Sequence, residues 1–342
     1  MSNCSMLRNT FKKFLNKPIT PLSLSTLHRS SFNLNNQNIF YNNKFIKEEL
    51  SVRLSHRIYH LLNLSYGLPL TQPIKTVIKL YDDSLDKIDN FDLDKKNYVE
   101  FSRLLLDIKN NHSRLEFDIS NGISLIRDSY TVDIIDDKYL NKELNKFFIS
   151  RIGIRTLILQ NFEITNHQNS IFNECNVKHI LQDCLTDISV LSERNFNEEP
   201  IFLINNTDDI NIHYLPSHIY YILNEVIKNS VIAHNRKDIL DKEPIVIDMF
   251  NSESELVIKV SDKGDSFSYN DINKVLTYSY STEKIDDFDR EFIIGGFGFG
   301  LPLAKVYAKY FKGDIIVNPK LNCGTDVFIY LDKKIDFEDR II

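Results

Sequence analysis

Gly295-Gly296-Phe297-Gly298-Phe299-Gly300-Leu301-Pro302-Leu303-Ala304 is the stretch on which the reading of this chain turns. The 342 residues contain only 10 glycines, and four of them fall within six consecutive positions here. Glycine lets the main chain approach a ligand with no Cβ in the way. Leu301-Pro302-Leu303 then opens a helix with proline in its first turn, where the missing N–H costs nothing. That helix carries Leu301, Val306, Tyr307, Tyr310 and Phe311 on its apolar side and stops at Gly313. A glycine-rich turn feeding a helix N-terminus offers free N–H groups and a partial positive charge, which suits a phosphate. No Gly-Lys-Ser/Thr is present for a P-loop, and the glycines do not sit in the first β-α turn of a dinucleotide fold. Taken alone, the segment also reads as a hinge.

Upstream, Tyr221-Ile222-Leu223-Asn224-Glu225-Val226-Ile227-Lys228-Asn229-Ser230 puts Glu225, Lys228 and Asn229 at i, i+3 and i+4. A carboxylate, an ammonium and an amide thus share one helix face, with Ile222 and Val226 on the other. On a solvated face Glu and Lys are ordinary. Asn is a mediocre helix former, and its amide oxygen is a hard ligand suited to Mg²⁺ beside a triphosphate. Between the two, Ile258-Lys259-Val260-Ser261-Asp262-Lys263-Gly264 ends an apolar strand on a carboxylate and a turn, which could accept a hydrogen bond from an adenine amino group or be a common turn.

Around these segments the pattern is helical from Phe45 to about Arg194, with Leu50, Leu54, Ile58 and Leu61 at spacings of three and four. A helix bundle is expected there. Beyond about Pro200 a helix over 217–234 precedes strands at 245–249 and 256–260, a loop-rich stretch over 261–294, a helix over 301–311, and strands near 314–317 and 326–330. The expected fold class is therefore α+β, a helical bundle followed by an α/β sandwich with its helices on one face of a mixed or antiparallel sheet. The expected division is a leader over 1–31, a bundle over 40–195, a second domain over 200–333 and a short tail over 334–342.

Composition narrows the function. The formal net charge is −6, and no basic patch of the kind that binds nucleic acid is evident. The most apolar run, residues 293–304, is too short for a membrane span and is broken by glycines and Pro302. Cys4, Cys175, Cys184 and Cys323 form no CxxC pair and no zinc spacing, which fits reduced core thiols. The first acidic residue is Glu48. Before it lie Arg8, Lys12, Lys13, Lys17 and Arg29 among many serines, with Phe11, Phe14 and Leu15 at helical spacing. A cationic amphipathic helix of this kind has the physical character of a mitochondrial transit peptide, with cleavage expected near residues 29–31; the other reading is a basic tail.

Taken in order, Glu225-x-x-Lys228-Asn229, Asp262-x-Gly264, Gly296-x-Gly298-x-Gly300 and Gly324-Thr325 resemble the four boxes of the GHKL ATPase/kinase superfamily. The run from Gly296 to Asp314 and Gly324-Thr-Asp-Val-Phe-Ile-Tyr-Leu331 are closer still to the mitochondrial pyruvate dehydrogenase kinases. So are Phe45-Ile-Lys-Glu-Glu-Leu-Ser-Val-Arg-Leu54, Phe148-Ile-Ser-Arg-Ile-Gly-Ile-Arg-Thr-Leu157 and Pro216-Ser-His-Ile-Tyr220. The branched-chain ketoacid dehydrogenase kinases are the sister possibility, and Tyr310-Phe311-Lys312-Gly313-Asp314 leans towards the pyruvate enzymes. The likeness spans about residues 45–331.

This resemblance implies a GHKL (Bergerat) ATP-binding domain and an ATP- and Mg²⁺-dependent serine kinase of the mitochondrial matrix. Such an enzyme inactivates the decarboxylase component of a 2-oxoacid dehydrogenase complex, docks on the lipoyl domain of the acyltransferase core and forms a homodimer. It further implies that Glu225 is the general base with Lys228 beside it, Asn229 the metal ligand, and Asp262 with Gly264 and Thr325 the adenine reader. Ser281, Thr282, Gly296, Phe297, Gly298, Phe299, Gly300 and Leu301 would close over the nucleotide. His56, His60, His112 and His179 are read as structural or surface residues. Four departures stand out: Tyr221 replaces a histidine that pairs with the glutamate, Ile232 an arginine, Asp265-Ser266 bring two side chains into a turn that is otherwise glycine-rich, and no tryptophan is present for the C-terminal Asp-Trp pair. A catalytically weak, nucleotide-binding regulator is therefore the alternative.

Overall fold

The computed structural model describes residues 10–21, 34–127, 138–206, 209–278 and 298–333. The chain divides into two compact units, one running to Ile171 and the other Phe172–Ile335.

The first unit is helical: α1 (Thr10–Leu15), α2 (Asn36–Leu62), α3 (Gln72–Asn90), α4 (Tyr98–Asn111), α5 (Leu115–Arg127) and α6 (Lys138–His167). Asn35 caps α2, its side chain accepting from Asn38 N at 2.8 Å, and Pro73 occupies the first turn of α3. Leu50, Leu54, Ile58 and Leu61 fall on one stripe of α2 and are fully buried, as are Leu144, Phe147 and Phe148 of α6. The 3.6-residue repeat read from the sequence is therefore the buried seam of the bundle, where α2 packs on α3 and α6, and α4 on α6.

Residues 10–21, part of the segment read as a leader, are built into this unit. Helix α1 packs on α2 and α3, Phe11 and Phe14 are buried, and Lys13 pairs with Asp89 of α3 at 2.8 Å. Just beyond it, the Thr20 N–H donates to both carboxylate oxygens of Glu49, and Arg53 donates to the Thr20 carbonyl at 3.0 Å. Glu49 and Arg53 are themselves a buried pair at 2.6 Å. Cleavage near residues 29–31 would strip away all of these contacts. Removal of residues 1–31 is accordingly expected to lower the melting temperature sharply, since burying two phenylalanines is worth about 1.5–3 kcal/mol each. A truncated protein that melted with the full chain would mean that the segment contributes nothing to the folded body.

The second unit begins with β1 (Asn173–Asn176), α7 (Val177–Phe196), β2 (Phe202–Asn205), β3 (Asn211–Tyr214) and α8 (Pro216–Arg236). It continues through β4 (Ile245–Asn251), β5 (Glu255–Ser261), the single turn α9 (Ile272–Val275), α10 (Gly300–Tyr310), β6 (Asp314–Lys320) and β7 (Gly324–Asp332). Strands β1 and β3 form a small antiparallel sheet, and the main sheet has the order β2-β4-β5-β7-β6, with β2–β4 parallel and the rest antiparallel. Alternate residues Ile245, Ile247 and Met249 of β4, and Leu256, Ile258 and Val260 of β5, are buried. Helix α8 packs on β5, α10 on β6 and β7, and the two helices on each other. This is the expected α+β sandwich.

The division falls at Phe172, ahead of the break expected near residues 195–200. Helix α7 packs on α8, and pairing of β1 with β3 ties its leading end to the same unit. Among the described residues no helix is long and apolar enough to cross a membrane, and Cys175, Cys184 and Cys323 are free thiols.

Candidate functional site

A cleft of about 320 Å³ lies within the second unit, between α8, the ends of β5 and β7, and the start of α10. It gathers Glu225, Lys228, Asn229, Asp262, Gly298, Gly300, Leu301 and Thr325, eight of the residues singled out from the sequence. Phe299 precedes α10 as its N-cap and is itself buried, its ring 5.1 Å from that of Tyr278. Gly264 backs the cleft rather than lining it. Ser281, Thr282, Gly296 and Phe297 lie outside the described residues.

One end of the cleft is built around Glu225. Its Oε1 accepts from Lys228 Nζ at 2.6 Å, and both side chains are less than one-fifth exposed. The pair is therefore more shielded than the solvated helix-face pair the sequence suggested. Its Oε2 lies so close to Gly300 that a Cβ there would overlap it. Only glycine permits the first residue of α10 to rest on the carboxylate. Among the described residues no side chain caps the N-terminus of α10, which leaves its first-turn N–H groups open to an anion, and Gly298 has a positive φ of 73°.

Asn229 stands one turn along α8 from Glu225, exposed on the cleft wall and without a hydrogen bond among the described residues. No cluster of three or more His, Cys, Asp or Glu able to hold a metal occurs among the described residues. The Asn229 amide oxygen is a hard, unengaged oxygen on this wall, of the kind a divalent ion could take together with ligand phosphates and waters.

The other end is built around Asp262. Register pairs Ser261 with Asp326, so Asp262 and Thr325 meet just past the end of β5; Asp262 N donates to the Thr325 carbonyl at 3.0 Å. Oδ1 accepts from Gly264 N at 3.0 Å and Thr325 N at 3.2 Å, while Oδ2 receives the Ser230 hydroxyl at 3.3 Å. Gly264 fits because the turn lies against the Ala233 main chain, which also accepts from Asp265 N at 3.2 Å. Burial raises the Asp262 carboxyl to about 6, against the pull of its hydrogen bonds to Gly264, Thr325 and Ser230. With Oδ1 doubly engaged, Oδ2 is the oxygen that can meet a donor in the cleft. Ile232, Phe267, Val275, Val317 and Val327 give this end apolar walls.

The sequence reading missed Ser230 and Arg236, both of which line the cleft. A serine directly after Asn229 was the available signal for the first. Arg236 lies one turn beyond Ile232, which is itself an apolar wall residue. Tyr221, considered as a hydrogen-bond partner for Glu225, packs its ring against Tyr307 of α10, with the ring centres 4.6 Å apart and the planes tilted by 38°. Ser266 also lines the cleft, where the resemblance has glycine.

A helix face bearing a carboxylate and an amide, set beside a buried carboxylate at a strand end of a mixed sheet and the N-terminus of a second helix packed on it, is the arrangement of a GHKL-type ATP-binding domain. Residues 214–335 match the family model of histidine kinase-, DNA gyrase B- and HSP90-like ATPases, and residues 21–188 match that of mitochondrial branched-chain alpha-ketoacid dehydrogenase kinase. The chain is 29% identical over 309 residues to human mitochondrial pyruvate dehydrogenase (acetyl-transferring) kinase isozyme 4, covering 84% of this chain and 75% of that protein. It is 28% identical over 353 residues to the isozyme 4 kinase of Rhinolophus ferrumequinum, covering 97% and 85%. With the kinase of Ascaris suum it shares 29% over 307 residues, covering 84% and 77%. The chain belongs to the family of mitochondrial pyruvate and branched-chain ketoacid dehydrogenase kinases, within the GHKL superfamily, and is a protein kinase of that family.

Proposed function

We propose that this protein is an ATP- and Mg²⁺-dependent serine kinase of the mitochondrial matrix that phosphorylates, and so switches off, the decarboxylase component of the pyruvate dehydrogenase complex. The observation that carries this reading is the seating of Glu225 between Lys228 and the start of α10, in one cleft with Asn229 and Asp262. The names of the relatives favour the pyruvate complex, and the family model of the helical region keeps the branched-chain complex as the sister substrate. Docking on a lipoyl domain and assembly as a homodimer belong to the same proposal.

In this reading the first-turn N–H groups of α10 hold the phosphates, Asp262 Oδ2 takes the adenine amino hydrogen, and Asn229 holds the metal. The ion supplies charge neutralisation between the phosphates. Lys228 occupies Oε1 of Glu225, which leaves Oε2 to take the proton from the substrate serine as its oxygen bonds to the γ-phosphorus and ADP leaves. Phosphoryl transfer asks for positioning and charge neutralisation more than covalent help. The weak-regulator alternative is motivated by Tyr221, a phenol where the resemblance has an imidazole, but its ring contact with Tyr307 leaves the base itself in place.

Purified protein, labelled ATP and each mitochondrial 2-oxoacid decarboxylase component decide the matter. Phosphoserine on the pyruvate component alone is expected; label only on the branched-chain component would shift the substrate, and no label with tight ATP binding would make the protein a regulator.

Asp262 yields a separate expectation. In Asp262→Asn the amide oxygen must take the doubly bonded Oδ1 seat, so the NH₂ faces the adenine amino group, donor against donor. ATP affinity is expected to fall about 10–100-fold, the worth of a charge-assisted hydrogen bond. In the parent, protonation of Oδ2 produces the same clash, so affinity should weaken as pH drops through about 6 and hold above it. Calorimetry between pH 5 and 8 checks both; a flat profile identical in parent and variant would remove Asp262 from adenine recognition.

A further inference from the structure

The carboxylate read as the adenine acceptor sits in a turn whose successive main-chain N–H groups, 262 to 265, all find acceptors. Asp262 N donates to the Thr325 carbonyl, Gly264 N to Asp262 Oδ1 at 3.0 Å and Asp265 N to the Ala233 carbonyl at 3.2 Å. Lys263 N donates to His234 Nε2 at 2.9 Å. Three of these acceptors belong to the main chain or to Asp262 itself. The fourth is a side chain sent from the last turn of α8, and it is fully buried.

A main-chain N–H can only donate, so Nε2 is the bare nitrogen of the imidazole and the ring proton sits on Nδ1. Burial lowers His234 to about 4, with Glu243 opposing and Lys237 and Lys263 reinforcing, so at neutral pH the ring is uncharged and keeps its acceptor. His234 is itself fixed where α8 ends. Its carbonyl accepts from Lys237 N and Ile239 N, both at 3.1 Å, as the chain turns back through Asp238 at a φ of 57°. The same stretch holds the rest of Lys263, whose carbonyl accepts from Lys237 Nζ at 2.7 Å and whose ammonium pairs with Glu243 at 2.6 Å. Lys263 and Glu243 are 58% and 41% exposed, and ion pairs in such surroundings are worth little. The bond to the buried imidazole is therefore the contact that decides how the 262–263 peptide is turned. That peptide is planar, so a fixed Lys263 N–H also fixes the direction in which the Asp262 side chain leaves the main chain.

We propose that His234 is a positioning residue for base recognition: by accepting the Lys263 N–H it holds the turn so that Asp262 Oδ2 faces the 6-amino group of adenine. The inference rests on the adenine contact proposed for Asp262 and adds the residue that aims it. Ser230, one turn earlier on α8, steadies Oδ2 directly, and His234 steadies the peptide behind it.

The test compares the calorimetric affinity of the full chain for ATP and for purine riboside triphosphate, which differs from ATP only in lacking the 6-amino group. In His234→Leu, which removes the acceptor, ATP affinity is expected to fall about tenfold. Affinity for purine riboside triphosphate should stay at the parent value, because that analogue has no amino group for Asp262 to meet. His234→Gln, whose amide oxygen reaches the Nε2 position, should bind ATP as the parent does. In the Asp262→Asn background His234→Leu should cost nothing further, since the contact it aims is already gone. Should His234→Leu fail to fold, His234→Asn, too short to reach Lys263 N, carries the comparison with His234→Gln. Equal loss of both nucleotides would make His234 a residue of the fold alone and overturns the proposal. ATP binding weakened by Asp262→Asn but not by His234→Leu or His234→Asn also overturns it, and leaves the adenine contact standing. A parent that binds both nucleotides alike and is unaffected by Asp262→Asn removes the adenine contact itself, and this inference with it.

Discussion

Glu225→Gln is expected to leave nucleotide affinity near the parent value and to lower phosphoryl transfer by about 10²–10⁴-fold, the range that a well-placed proton acceptor supplies. Glutamine is nearly isosteric, and its amide oxygen can still receive the Lys228 ammonium that now sits 2.6 Å from Oε1. The amide then puts an NH₂ group where Oε2 now rests against Gly300, so the position nearest the phosphate grip can no longer accept a proton. Single-turnover transfer from labelled ATP, with calorimetric nucleotide affinity alongside, separates the two effects. Transfer at the parent rate would remove Glu225 as the base.

Asn229→Ala should do the opposite to binding. Mg²⁺-dependent nucleotide affinity and kcat/KM are both expected to fall by about 100-fold, on the scale of the several kcal/mol a divalent ion supplies to charge neutralisation. The protein itself should become slightly more stable. Asn229 is exposed in the interior of α8 without a hydrogen bond among the described residues, and alanine is the better helix former by about 0.5 kcal/mol. A variant that melts higher yet no longer distinguishes ATP with and without Mg²⁺ would mark Asn229 as a residue kept for binding at the expense of stability. Unchanged Mg²⁺ dependence would take it out of the metal site.

The sequence carried the sandwich well because its signals were periodic. Helix α8, strands β4 to β7 and helix α10 lie within a few residues of where apolar repeats placed them, and the glycine cluster pointed to the helix start that lines the cleft. The elements that escaped notice are strands of four residues, too short for a repeat to show. Asn173-Glu174-Cys175-Asn176 has no β-branched residue, and only its pairing with Asn211–Tyr214 makes it a strand. Helix α7 has the same apolar stripe as the bundle helices, and periodicity cannot say which neighbour that stripe will meet. The same limit applies to α1. Phe11 and Phe14 among lysines describe a helix that could lie on a membrane or a receptor as well as on its own protein, and the contact with α2 and α3 becomes visible only in three dimensions. Ser230 was illegible for a related reason, since it matters through what stands beside it, the Asp262 carboxylate.

The contact between Gly300 and the Glu225 carboxylate bears on how this enzyme could be inhibited. A compound that wedged a single methyl group between them would push the Glu225 carboxylate off the start of α10 and so displace the proton acceptor from the phosphates. A larger residue at position 300 would move the same carboxylate, so escape from such a compound by that route would carry its own cost in transfer.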